Sequence, residues 1–139
     1  MKRPALIGLT ALLIGCANQN QYKAPEVPQK PIAPKQYNTV EEKKELAECL
    51  VEQEAVMYGA EWCPACYIQE QEIFGPEAWN TFKVNYFECS EKGSDEDKQR
   101  CMEIIIDDTI TLPTWKFKDG TMVTGYQSLD TLAKMSKCD

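Results

Sequence analysis

The sequence predicts an α/β fold, a small mixed β-sheet with helices on both of its faces. Three observations lead there. Two short apolar runs, Ala55–Gly59 and Val84–Cys89, are separated by a stretch rich in helix formers, the strand–helix–strand order whose crossover sets the two strands parallel. An Asp119-Gly120 pair then lies between two further strand-like runs, the signal of an antiparallel hairpin. Finally, 139 residues suffice for one packed domain and not comfortably for two.

The first residues stand apart from that domain. Met1-Lys2-Arg3 is a short basic start, and Ala5 to Gly15 is apolar apart from the hydroxyl of Thr10. Such a run is too short for a permanent membrane-crossing helix but suits the core of a signal peptide, expected here over residues 1–15. It ends in Leu13-Ile14-Gly15-Cys16, which resembles the lipobox of bacterial lipoproteins. The resemblance implies cleavage before Cys16 and a lipid on its sulfur. Each acyl methylene contributes roughly 0.8 kcal/mol of membrane affinity, so several chains anchor firmly. An ordinary signal peptide with an incidental cysteine is the competing reading. Residues 16–38 would then be a tether, extended where Pro25, Pro28, Pro31 and Pro34 recur, or a docking segment for a partner. Ala17-Asn18 carry no aspartate retention signal, which favours an outer over an inner membrane.

The domain is expected over residues 39–139. Thr39 and Glu42 fit a capping box, and Leu46, Cys49, Leu50 and Gln53 follow at helical spacing. Ala55–Gly59 suits a buried strand that leads into Glu61-Trp62-Cys63-Pro64-Ala65-Cys66. A helix is predicted after Cys63, since Pro64 is tolerated in a first turn and Tyr67–Ile73 has good formers. Gly75-Pro76 breaks it, and Pro76 opens a short helix carrying Trp79 and Phe82. Val84–Cys89 reads as the second strand. Ser90–Asp97 is polar, with Ser94 as N-cap of a helix running through Cys101 to Ile106. The acidic residues there read as a solvated helix start. Thr114–Phe117 and Met122–Thr124 form the hairpin, and Ser128–Met135 is a last helix with Leu129, Leu132 and Met135 on one face.

Composition narrows the function classes. Taking Lys2 and Arg3 with the leader from 15 basic residues leaves 13 against 22 acidic ones, a net charge of −9. So acidic a chain argues against nucleic acid or anionic headgroups as partners. There is no histidine, which removes Ser-His and Cys-His catalysis and most zinc hydrolase designs. Seven cysteines remain to be explained. With Cys16 lipidated, six are left in a chain bound for an oxidising compartment, and six allow fifteen pairings.

Cys63 and Cys66 carry the chemistry. They sit at a strand-to-helix junction, where unpaired amides and the positive end of the helix dipole favour a thiolate. Cys63 is therefore expected to have a lowered pKa and to be the nucleophile. Cys66, one turn on, resolves the mixed disulfide. A fixed disulfide at this position is one alternative. A four-cysteine metal site on Cys63, Cys66, Cys89 and Cys101 is another, although zinc sites usually show a second closely spaced pair and Cys89 and Cys101 are twelve positions apart. Cys49 in the first helix and Cys138 after the last would staple the two ends of the domain if paired. Trp62 is expected beside Cys63, partly exposed and shielding it, whereas Trp79 and Trp115 read as packing residues.

Met57-Tyr58-Gly59-Ala60, Trp62-Cys63-Pro64, Phe74-Gly75, Tyr86 with Glu88-Cys89, Cys101, Pro113-Thr114-Trp115, Gly120, Gly125 and Ser128-Leu129 together resemble the thioredoxin superfamily. Within it they are most similar to the thioredoxin-like domain fused to bacterial and plant homologues of vitamin K epoxide reductase. The resemblance runs from about residue 45 to the end. It implies a thioredoxin-like fold, dithiol–disulfide exchange with exported cysteine-containing proteins, and no metal or organic cofactor. It also implies a cis Leu112–Pro113 bond that helps shape a substrate groove with Trp62, and a Cys89–Cys101 disulfide, whether a structural bond or a relay to Cys63–Cys66. Three departures matter. The membrane-embedded reductase is absent, so a lipid anchor and a separate membrane redox partner take its place. Ala65 stands where the relatives often have histidine. Met57 occupies the place of thioredoxin's buried acid, so Cys66 needs another proton acceptor. The direction of electron flow stays open, and so does a non-catalytic alternative, a disulfide-stapled envelope lipoprotein that uses the fold for binding.

Overall fold

The computed structural model describes residues 35–106 and 109–139. The expectations for the leader, the lipidated Cys16 and most of the tether lie outside the described residues. Helix α1 spans Val40–Glu52. Thr39 starts it with both halves of a capping box: Thr39 Oγ1 accepts the Glu42 amide at 3.2 Å, and Glu42 Oε2 accepts the Thr39 amide at 2.9 Å. The helix buries Leu46, Ala47 and Leu50. Packing begins earlier than expected, however. Tyr37, assigned to the tether, is buried and joins the main core, because a tyrosine ring carries enough apolar area to offset the ordering of its backbone.

The remaining elements are strand β1 (Val56–Gly59), helix α2 (Pro64–Tyr67), helix α3 (Pro76–Phe82), strand β2 (Tyr86–Glu88), helix α4 (Asp95–Cys101), strands β3 (Thr114–Lys116) and β4 (Met122–Thr124), and helix α5 (Leu129–Ser136). The strands form one mixed sheet in the order β2-β1-β3-β4. β1 runs parallel to β2, with Met57 opposite Tyr86, and antiparallel to β3, with Met57 opposite Trp115. β3 and β4 are the expected antiparallel hairpin. At its turn Gly120 takes φ 85°, a conformation cheap only for glycine, while Asp119 Oδ1 accepts the Thr121 amide at 2.9 Å.

Period-2 alternation along β1 divides the interior. Met57 points into the larger cluster, where Leu50, Phe74, Phe82, Trp115 and Leu132 are fully buried. Phe74 stacks on Phe82 at 5.3 Å between ring centroids, and Phe82 meets Trp115 at 5.1 Å. Tyr58 points the other way, into a smaller cluster with Cys101 and Ile104 against which Phe87 and Cys89 pack. Residues of α1, α3 and α5 fill the first side, and α4 with its following turn covers the second. The chain is thus mixed α/β, with helical cover on both faces of a four-stranded mixed sheet.

Most boundaries fall within one residue of expectation, and two differ by more. The second strand begins at Tyr86 rather than Val84, because Lys83–Asn85 form a 3₁₀ turn at the end of α3. Asn85 Nδ2 pins that turn by donating to the carbonyl of Ala55 at 3.0 Å. The helix expected to reach Ile106 stops at Cys101, passes through a 3₁₀ turn at Met102–Ile104, and is extended by Ile105. Ile106 instead bridges to Thr109, its amide donating to the Thr109 carbonyl at 3.0 Å and its carbonyl accepting the Thr109 amide at 2.8 Å.

Candidate functional site

The site lies where β1 ends and α2 begins. Cys63 is the N-cap of α2, with φ −88° and ψ 112°, and its amide donates to the Ala60 carbonyl at 2.9 Å. Pro64 follows at the first helical position, where its missing N–H costs nothing. This turn brings the Cys66 amide to 3.2 Å from Cys63 Sγ, with the N–H donating to sulfur. Beyond Tyr67 the helix winds wider over Ile68–Phe74, as a π-helix closed by a bond from the Gly75 amide to the Glu70 carbonyl.

Cysteine use is divided. Cys49 is bonded to Cys138, joining α1 to the residues after α5, and Cys89 is bonded to Cys101, joining the end of β2 to α4. These are the pairings anticipated from helix positions and from the family pattern. Cys89 and Cys101 are therefore committed to each other, which takes two ligands from the four-cysteine metal alternative. Among the described residues, Cys63 and Cys66 alone are free thiols, and both are buried, at 6 % and 1 % exposure. Burial first, and its hydrogen bond with Cys63 second, push the Cys66 thiol up to about 12.

The other expected site residues are placed as follows. Trp62 is 65 % exposed next to Cys63, so it stands largely in solvent rather than packed. The Leu112–Pro113 peptide is cis. The β1–β3 register, carried one position past Tyr58 opposite Thr114, sets Pro113 opposite Gly59 at the end of β1 that leads to Cys63. Pro113 is fully buried, its carbonyl accepts the Gly125 amide at 2.8 Å, and Leu112 packs against both hydrophobic clusters. Trp115 is core, and Trp79 is half-buried with its ring edge-on to Tyr86 at 5.3 Å.

A group of polar residues behind Cys66 was given no role from sequence. Gly59 sets the spacing: a methyl group there would lie 2.6 Å from Tyr86 Cε2, 2.9 Å from Tyr86 Oη and 3.2 Å from Cys66 Sγ. Only glycine lets the phenol and the thiol approach the same point. Tyr86 Oη donates to Glu88 Oε2 at 2.9 Å. Glu88 Oε1 accepts the amides of Ser90 at 2.9 Å and Glu61 at 3.2 Å. Burial works against the Glu88 carboxylate, but its hydrogen bonds to Ser90, Tyr86 and Glu61 prevail and hold it below the ordinary range. Burial, then the Glu88 bond, raises the Tyr86 phenol, which stays protonated. Glu70 lies four residues after Cys66, close enough that its charge also acts on the Cys66 thiol. Burial first and the Glu88 charge second raise its carboxyl above the usual value. Gln69 is fully buried and clamps the loop before α5, accepting the Gln127 amide at 2.6 Å and donating to the Gln127 carbonyl at 3.1 Å. The spacing of Glu70 from Cys66 and the alternation of Tyr86 and Glu88 along β2 were readable signals. Nothing local in the sequence marks Gln69.

Among the described residues, no helix is long and apolar enough to cross a membrane, and no three His, Cys, Asp or Glu side chains are grouped to hold a metal ion. No family model matches the chain.

Proposed function

We propose that this chain is a thioredoxin-like protein thiol–disulfide oxidoreductase of the bacterial cell envelope, anchored through lipid on Cys16. The observation that carries the reading is the contrast among the cysteines. Four of those described are locked in two disulfides, while Cys63 and Cys66 are an adjacent thiol pair with the Cys66 amide directed at Cys63 Sγ. The sheet order β2-β1-β3-β4, with one parallel pair followed by a hairpin, and the cis Leu112–Pro113 peptide support the thioredoxin-like reading.

The exchange runs in two displacements. Cys63 thiolate attacks a substrate disulfide, forming a Cys63–substrate bond and releasing one substrate thiolate. Cys66 then loses its proton and attacks Cys63 Sγ, which frees the second substrate thiolate and leaves the Cys63–Cys66 disulfide. The substrate gains two electrons and the pair loses two. The reverse order oxidises a substrate dithiol. Trp62 and Leu112 border the groove in which an extended exported chain lies, the buried Pro113 shapes it from beneath, and a membrane partner resets the pair.

Thiol trapping across glutathione buffers tests this. A potential near roughly −270 mV marks a reductant and one near roughly −120 mV an oxidant. Cys63→Ser is expected to abolish exchange while Cys49–Cys138 and Cys89–Cys101 still form. The deep burial of both thiols favours a second reading, a binding lipoprotein in which Cys63–Cys66 is only a staple. A pair that stays oxidised in every buffer, with Cys63 never trapped, would establish that reading instead.

A further inference from the structure

We infer that Tyr86, held by Glu88, receives the proton of Cys66 when Cys66 attacks the mixed disulfide on Cys63. The inference rests on the exchange reaction proposed above and supplies the acceptor that Met57, buried in the apolar core, does not.

Geometry gives the direction of transfer. The phenol has a single proton, and that proton is committed to Glu88 Oε2 at 2.9 Å. The point over Gly59 that a methyl group would occupy is 2.9 Å from Tyr86 Oη and 3.2 Å from Cys66 Sγ, and toward the thiol the phenol oxygen therefore offers lone pairs. It accepts from the Cys66 thiol directly or through one water. As the Cys66–Cys63 bond forms and the Cys63–substrate bond breaks, the Cys66 proton passes to Tyr86 Oη. The phenol proton passes to Glu88, and the electron pair leaves on the substrate sulfur. Glu88 is half-buried and returns the proton to solvent. Its other oxygen is held by two amides, so the carboxylate is in place before the attack begins.

The ionisable groups about Cys66 fit these roles. On its own helix are Cys63, whose charge is cancelled in the mixed disulfide, and Glu70. From β2 come Tyr86 and Glu88. Glu61, beside the site, has its carboxylate paired with Lys92 and reaches Glu88 only through its amide. Among the described residues no lysine or arginine is a cause of the Cys66 shift, and the Ala60 backbone bond that favours the thiolate is outweighed by burial.

The test is a rapid-mixing experiment on the full-length protein after selective reduction of Cys63–Cys66. The probe is an aromatic disulfide that releases the coloured nitrothiobenzoate anion. Release occurs first when Cys63 attacks and again when Cys66 resolves the adduct. Tyr86→Phe keeps the ring on Trp79 and is expected to leave the first phase unchanged. It should slow the second by about 100-fold at neutral pH, within the range for a lost proton acceptor. That deficit should shrink as pH rises and hydroxide takes over. Glu88→Gln should slow the second phase as well, and it carries the test should Tyr86→Phe fail to fold. A second phase within about twofold of wild type in a folded Tyr86→Phe protein overturns the relay alone. So does a slowing seen only in Glu70→Gln, which would place the proton on Glu70. A wild-type protein that shows no second phase overturns the oxidoreductase reading and the relay with it.

Discussion

Replacing both Cys49 and Cys138 with alanine opens a loop closed over 89 residues. The bond joins α1 to the segment after α5, so it encloses nearly the whole packed chain. In the chain-entropy account, a crosslink of that span removes enough freedom from the unfolded chain to stabilise by about 4.6 kcal/mol. The Cys89–Cys101 bond, spanning 12 residues, is worth about 2.8 kcal/mol by the same relation. A domain of this size is stable by roughly 5–15 kcal/mol in all, so the first loss leaves a marginal fold and the second a compromised one. Urea unfolding followed by tryptophan fluorescence measures both double variants against wild type. Losing the long crosslink should also steepen the dependence on urea, because the unfolded chain expands and exposes more surface. The reasoning fails if Cys89–Cys101 proves the costlier bond to remove, or if opening Cys49–Cys138 costs less than about 1 kcal/mol.

Two further predictions concern the polar group behind Cys66. Gly59→Ala places a methyl 2.6 Å from Tyr86 Cε2, and the ring is held between Trp79 and Glu88. The variant should lose about 1–3 kcal/mol in thermal unfolding, the usual cost of overpacking, and a melting temperature equal to wild type would refute the contact. Glu70 has its carboxyl raised by burial and then by Glu88. The folded state thus holds that proton more tightly than the unfolded chain, and stability is lost as pH rises through the folded value. Glu70→Gln should therefore be more stable than wild type near pH 7, with the gap closing toward about pH 4, and a gap independent of pH would refute it.

Much of the fold was legible because local signals agreed with one another. Thr39 with Glu42, Asp119 with Gly120, and Pro76 after Gly75 each announce a boundary by their own chemistry, and all three boundaries occur in the structure. Hydrophobic pattern misled where backbone stiffness or tertiary contact decided. Ile104–Ile106 read as a continuing helix, yet the α-helix ends at Cys101 and Ile106 is drawn into a bridge with Thr109. Val84 and Asn85 read as strand, yet Asn85 is drawn to the carbonyls of Ala55 and Val51. Tyr37 looked like linker because its neighbours are polar, and only the core it enters, some distance along the chain, reveals it. At the site, Cys63-Pro64-Ala65-Cys66 was visible as a motif. Its surroundings were not, because Gly59, Tyr86 and Glu88 acquire meaning only when β1 and β2 pair.

The sheet also bears on which cysteines can exchange with one another. Cys66 packs on the side of Met57 and Trp115, whereas Cys89 and Cys101 pack with Tyr58 on the other. A thiolate must approach a disulfide along the line of its S–S bond, and the residues of β1 stand between these two pairs. A relay from Cys89–Cys101 to Cys63–Cys66 through the sheet within one molecule would have to part β1 from β2. That opening breaks the parallel pairing of Met57, Tyr58 and Gly59 with Tyr86, Phe87 and Glu88 and exposes the Tyr58–Phe87 contact. The sheet thus favours Cys89–Cys101 as a structural bond, separate from the exchange proposed for Cys63–Cys66. Mass-mapped disulfides after exposure to limiting oxidant check this, and a linked Cys63–Cys89 peptide from natively folded protein would overturn it.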